Sequence, residues 1–181
     1  MNRLGKCVAV MAMAIASAAL PAIARAQCTA TGSGATCTQP GSASMTAGRV
    51  VRLQMSAGST ALTAPTPTDF DAGFNTTTGP TLTVSANASW TLLLRSAATF
   101  WTATNTSPGA PARTTKPSGD LRWSTASNGP FGALTTGDIT LVTGSATATN
   151  ATTLYFQTLY DWTLDTPGNY SLSVVLTLTS P

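Results

Sequence analysis

The amino-acid sequence predicts an all-β fold, namely a single antiparallel immunoglobulin-like β-sandwich of about seven to nine strands. After residue 26 the chain has no Glu and only one Lys, so it lacks residues that helices favour on their surfaces. Thr is its commonest residue, and Val, Leu, Tyr and Trp recur in short alternating runs, as in half-buried strands. Gly, Pro and Asn separate these runs, as is typical of turns. A closed β-barrel is the alternative architecture.

The alternating runs define the predicted strands. In chain order they are 49–55, 81–86, 90–95, 100–104, 121–124, 138–143, 152–162 and 169–179. Asn87-Ala88-Ser89 joins the second run to the third and predicts a hairpin connection. The final run places one set of large side chains on a single face: Tyr170, Leu172, Val174, Leu176 and Leu178. The Pro-containing stretches 65–80 and 105–119 predict long exposed loops.

The segment Met1–Ala26 has the pattern of a cleaved secretory signal peptide. Arg3 and Lys6 precede an apolar stretch from residue 8 to residue 20, and an Ala-x-Ala site ends at residue 26. The apolar stretch is shorter than the roughly 20 residues that a membrane-spanning helix needs. We therefore expect export, followed by a Gly/Ser/Thr-rich arm over residues 27–47 and the β-sandwich over 48–181, with no membrane span after cleavage.

The charge balance excludes two classes of partner. The excess positive charge lies within the signal peptide, because the remaining chain holds six basic and six acidic side chains. Nucleic acids and acidic membranes are both recognised through clustered Lys and Arg, and the exported chain has no such excess. We therefore expect no nucleic-acid partner.

Two cysteines remain after cleavage, Cys28 and Cys37. In an oxidising compartment such a pair normally forms a disulfide, which here would stabilise the N-terminal arm. A redox or zinc role lacks support, because the spacing is not Cys-x-x-Cys and the sequence has no His.

The sequence offers few catalytic side chains. Without His, Glu or a free Cys, the common general bases and thiol nucleophiles are missing, and we expect no enzyme activity and no cofactor. Two aspartate pairs, Asp69 with Asp71 and Asp161 with Asp165, are the candidates for glycoside hydrolysis. Asp69 and Asp71 are also a weak candidate for binding Ca²⁺. The alternative for every one of these aspartates is a structural role in a turn.

The four tryptophans are the remaining candidates for function. Trp90 and Trp162 are in phase with neighbouring leucines, which predicts core packing. Trp101 follows Phe100, so one of those two rings must face outward in a strand, and the phase of Trp123 is undetermined. Trp101 and Trp123 are therefore the candidate ligand surface.

Two Trp-x-Leu motifs carry a resemblance to a known family. They are Trp90-Thr91-Leu92 and Trp162-Thr163-Leu164, the second within a segment that continues to Pro167. This pattern resembles WxL-type domains, secreted β-rich bacterial modules that attach non-covalently to the cell wall. The resemblance covers the two motifs and the strands around them, and it implies association with wall polysaccharide, with Trp90, Leu92, Trp162 and Leu164 as motif residues.

A second likeness concerns the end of the chain. Gly168-Asn169-Tyr170 and the strand after it are similar to the final strand of fimbrial and spore-coat-type subunits. Assembly by strand donation needs an arm with alternating apolar residues, and in residues 27–47 Met45 is the only large apolar side chain other than the cysteines. This composition counts against polymerisation by strand donation.

The sequence thus predicts a non-catalytic β-sandwich secreted by a bacterium, located outside the cell, on its surface or in the periplasm. The preferred function is a binding module for cell-wall or other glycans, with other surface proteins as further candidate partners. The alternative is a structural or adhesive subunit of a surface coat or fimbria-like assembly, which would self-associate through a sheet edge.

Overall fold

The chain is nearly all-β and its sheets are antiparallel, as predicted. The computed structural model describes residues 28–38, 41–104 and 111–181. The strands within these ranges are β1 (Val51–Met55), β2 (Phe74–Ala86), β3 (Trp90–Ser96), β4 (Thr102–Thr104), β5 (Leu121–Ser124), β6 (Gly132–Ala133), β7 (Ile139–Gly144), β8 (Thr147–Leu159), β9 (Asn169–Ser171) and β10 (Val174–Thr179). The helical elements are α1 (Pro67–Ala72) and a 3-10 turn, η1 (Ser118–Asp120).

Residue contacts divide the chain into two units, residues 1–46 and 47–181. In the first unit the predicted disulfide is present and joins Cys28 to Cys37, whose Cα atoms lie 5.8 Å apart. The predicted signal peptide, Met1–Ala26, lies outside the described residues.

The described residues of the second unit form three antiparallel sheets. Five strands form one sheet in the order β1-β2-β8-β5-β6, three form another in the order β10-β3-β7, and β4 pairs with β9. Buried side chains from both larger sheets belong to one hydrophobic cluster, which includes Leu82, Leu92, Leu94, Leu154 and Phe156. Because alternate residues of a strand point to one face, each sheet contributes one apolar face to this shared core. The finer prediction of an immunoglobulin-like topology stays a prediction.

The predicted hairpin at 87–89 is wrong, because the two strands that it joins lie in different sheets. β2 pairs with β1 and β8, whereas β3 pairs with β10 and β7. Asn87 stabilises this crossing: its Oδ1 accepts a hydrogen bond from the Val50 amide at 2.7 Å, and its Nδ2 donates to the Gly48 carbonyl oxygen at 2.8 Å.

The predicted loop 65–80 is also wrong, because it contains α1 and the first half of β2. Thr66 begins the helix with a capping box: its Oγ1 accepts from the Asp69 amide, and its own amide donates to Asp69 Oδ2 at 2.7 Å. Pro67 occupies the first turn, where its missing N–H costs nothing. Gly73 ends the helix with φ at 78°, a left-handed conformation that glycine adopts readily.

The final predicted run, 169–179, is divided between two sheets. β9 pairs with β4, and β10 pairs with β3 after a break at Leu172 and Ser173. The predicted grouping of its large side chains is nevertheless confirmed, because all five pack against the hydrophobic core.

Candidate ligand-binding surface

Trp101 and Trp123, the tryptophans predicted to form a ligand surface, are both removed from the solvent to a large extent. Trp101 is 5% exposed, and its Nε1 donates a hydrogen bond to the Pro117 carbonyl oxygen at 3.1 Å. The prediction is wrong for Trp101, because its neighbour Phe100 takes the outward position and is 48% exposed. Trp123 is half-buried against the core, and its Nε1 is fully buried.

The first Trp-x-Leu motif lies in the hydrophobic core. Trp90 is 2% exposed and Leu92 is fully buried, so the core packing predicted for Trp90 is confirmed. The indole N–H of Trp90 donates to the Ser145 carbonyl oxygen at 2.9 Å. Burial of such a ring with its polar atom paired contributes to stability and leaves no face for a ligand.

The second motif lies at the surface, so the core packing predicted for Trp162 is wrong. Trp162 is 60% exposed and Leu164 is 51% exposed. β8 ends at Leu159, where its pairing with Phe74 of β2 ends, and residues 161–164 form a turn. The alternation that predicted burial therefore stops before it reaches Trp162.

Three aromatic side chains meet at this surface and are here called the aromatic platform: Phe70, Tyr160 and Trp162. The Trp162 ring stacks on Phe70, with centroids 4.6 Å apart, and Phe70 contacts Tyr160 at 5.3 Å. Trp162 Nε1 donates to Asp71 Oδ1 at 3.1 Å, which orients the indole. Burial raises the pKa of Tyr160 above its ordinary value.

The platform is built from two segments that are remote in sequence. Helix α1 supplies Phe70 and Asp71, while the end of β8 and the turn after it supply Tyr160 and Trp162.

Asp161 stabilises the turn that carries Trp162, because its Oδ1 accepts hydrogen bonds from the amides of Thr163 and Leu164 at 2.7 and 3.1 Å. Two hydrogen bonds from Thr163 lower the pKa of Asp161. The one from the Thr163 side chain has the larger effect, and the one from its backbone amide follows.

The aspartates proposed as catalytic or metal ligands have structural partners. Asp69 belongs to the capping box of α1, and Asp71 accepts from Trp162. Asp161 accepts hydrogen bonds from amides of the turn in which it lies. Asp165 forms ion pairs with Lys116 and Arg113. Within residues 28–38, 41–104 and 111–181, no group of three or more potential metal-binding side chains occurs. The predicted turn role is confirmed for Asp161 and Asp165, whereas Asp69 and Asp71 lie in helix α1.

A cleft of about 440 Å³ adjoins the platform. Its walls include Phe70 and Tyr160 of the platform together with Trp101, Tyr170 and Pro167. Lys116 lies in the wall of this cleft with its Nζ 5.6 Å from the centre of the Tyr160 ring. Four aromatic rings therefore line the cleft, together with the buried ion pair of Lys116 and Asp165.

Sequence reasoning missed the platform and the charged group beside it. The Thr-x-x-Asp pattern at residues 66–69, followed by Gly73, is a capping-box signal that could have revealed helix α1. No local signal in the sequence brings Phe70 to Trp162 or Lys116 to Asp165.

No protein-family model matches this chain, and no curated protein matches it either. In the part of the chain that the structure describes, none of the helices has the length and apolar character that crossing a membrane requires. The resemblance to WxL-type domains stays a prediction.

Proposed function

We propose that this chain is a secreted, non-catalytic, immunoglobulin-like β-sandwich that binds cell-wall or other glycans through the aromatic platform. The observation that carries the proposal is the exposed ring of Trp162, which is held in place by its stacking on Phe70 and its hydrogen bond to Asp71. A sugar ring has an apolar C–H face that packs on an aromatic ring and a rim of hydroxyl groups that needs hydrogen-bond partners. An oriented indole next to carboxylate oxygens offers both kinds of contact.

The charges around the platform favour neutral sugars. Asp71 and Asp161 are exposed beside Trp162, whereas the nearest cations, Lys116 and Arg113, already pair with carboxylates. Carboxylates accept hydrogen bonds from sugar hydroxyls but repel anionic polymers. The ligand class we propose is therefore a neutral glycan, including the uncharged part of a wall polysaccharide.

The decisive variant is Trp162→Ala, measured by isothermal titration and by retention on purified peptidoglycan and neutral polysaccharides. Truncating a central tryptophan of a binding site costs about 2 kcal/mol or more, which corresponds to roughly 30-fold weaker binding. Trp162→Phe should retain part of the affinity, because a stacking face remains. Phe100→Ala is the matched control, since Phe100 is also exposed but lies outside the platform. Equal retention of Trp162→Ala and the parent chain would refute the proposal.

A structural or adhesive subunit is the second candidate, and one feature favours it. β1 is one of the two edge strands of the five-stranded sheet, and β10 is one of the two edge strands of the three-stranded sheet. A groove of about 560 Å³ is lined by apolar side chains from these strands and nearby segments, including Met55, Leu172, Val174 and Leu176. Unpaired edges beside apolar surface are typical sites of strand addition. This function predicts concentration-dependent multimers in light scattering that persist when Trp162 is replaced by Ala.

A further inference from the structure

Lys116 is surrounded by carboxyl and carbonyl oxygens in the interior of the second unit. It is the only Lys after residue 26 and is 2% exposed. Its Nζ lies 2.9 Å from both oxygens of Asp165, 3.2 Å from Asp120 Oδ2 and 2.8 Å from the Leu159 carbonyl oxygen. The side chain of Asp165 is only 6% exposed and that of Asp120 is 20% exposed. An amine and two carboxyl groups therefore meet in a site that is largely closed to water.

We propose that Lys116 and Asp165 condense to form an intramolecular isopeptide bond, with Asp120 as the catalytic residue that moves the protons. The equal contacts of Nζ with both Asp165 oxygens place the carboxyl carbon between them, within reach of the nitrogen. Holding the two reacting groups in contact replaces much of the entropic cost of bringing them together.

The reaction balances without any other reactant. One proton passes from the Lys116 ammonium to an Asp165 oxygen, and the nitrogen lone pair then forms the new C–N bond. Asp120 takes a second proton from that nitrogen and returns it to the Asp165 hydroxyl group, which leaves as water. The third proton stays on the amide nitrogen. No electrons are gained or lost overall.

The surroundings fit both the reaction and its product. Lys116 is 2% exposed and the Asp165 side chain is 6% exposed, so little water reaches the reacting groups, and water would oppose condensation. Arg113 Nη1 lies 2.9 Å from Asp165 and 3.5 Å from Asp120. Once the amide has formed, Arg113 and Asp120 remain as one cation and one anion, so no buried charge is left unpaired.

The bond would join the loop before β5 to the turn after β8. Asp165 Oδ2 also accepts a hydrogen bond from the Asp161 amide at 3.0 Å, so the cross-link would anchor the turn that carries Trp162. The proposal does not depend on glycan binding, because it rests on Lys116, Asp120 and Asp165 alone.

The test is the intact mass of the purified full chain after denaturation and reduction of the disulfide. This mass is compared with the one calculated from the sequence that starts at the N-terminal residue actually found. We expect a deficit of about 18 Da, one water, and a fragment that links the Lys116 peptide to the Asp165 peptide. Denatured Lys116 should also resist an amine-acylating reagent. Asp120→Asn should restore the full mass and the reactivity of Lys116. A wild-type chain of full mass, a reactive Lys116, or a deficit mapped to another residue would overturn the proposal.

Discussion

Replacing Lys116 with Met should strongly destabilise the fold, both relative to the ion-paired chain and relative to the cross-linked chain proposed above. The substitution leaves the Asp165 carboxylate, 6% exposed, with Arg113 as its remaining cation at 2.9 Å, and it leaves the Leu159 carbonyl oxygen without its donor. Removing one partner of a buried ion pair costs about 3 to 5 kcal/mol, because the other charge stays buried. For a domain of this size, such a loss lowers Tm by roughly 10 to 20 °C.

The matched control is Arg95→Met. Arg95 pairs with Asp138 at 3.4 Å, and both side chains are well exposed, at 39% and 51%. An exposed pair contributes about 0 to 1 kcal/mol, so urea unfolding curves of the two variants should separate clearly. Lys116→Met leaves two carboxylates, Asp120 and Asp165, to share Arg113. The double variant Lys116→Met with Asp165→Asn should be less destabilised than the sum of its two single variants, because it removes this excess negative charge. Equal, small effects of Lys116→Met and Arg95→Met would refute this reasoning.

Two further predictions concern the core and helix α1. Gly144→Ala should cost about 1 to 3 kcal/mol in urea unfolding, because a Cβ would lie 2.5 Å from the Trp90 ring; Gly137→Ala, with its nearest neighbour 3.9 Å away, should change little. Hydrogen bonds from Thr66 lower the pKa of Asp69, so the helix cap should contribute stability above about pH 4 and lose it as the pH falls through the lowered pKa. An NMR titration of Asp69 should show a midpoint below the ordinary value, and a midpoint at or above that value would contradict the capping box.

Local patterns were reliable where the physics is local. The prediction for 121–124 coincides with β5, and the grouping of large side chains in the last run is confirmed from Tyr170 to Leu178. Both depend on the alternation of side chains along an extended backbone, which neighbouring residues reveal. The disulfide between Cys28 and Cys37 is predictable for a different reason, because these are the two cysteines that remain after the predicted signal peptide is removed.

Strand ends and sheet membership were not predictable in this way. The alternation continues in the sequence from β8 to Trp162, but the strand stops at Leu159 because β2 offers no partner beyond Phe74. The 87–89 segment has the composition of a hairpin turn, yet it connects two sheets because its strands pair elsewhere. Pairing partners far along the chain decide both outcomes.

The sequence by itself determined that this chain is β-rich, that its charges balance after residue 26, and that Cys28 and Cys37 can pair. Only the tertiary structure decided which tryptophan meets the solvent: Trp162 lies exposed on a turn, whereas Trp101 is enclosed. The tertiary structure also brings Lys116 into contact with Asp165, which lies 49 residues away in the sequence. Composition and alternation are properties of neighbouring residues, whereas exposure and side-chain encounters depend on which distant strands pair and where that pairing ends.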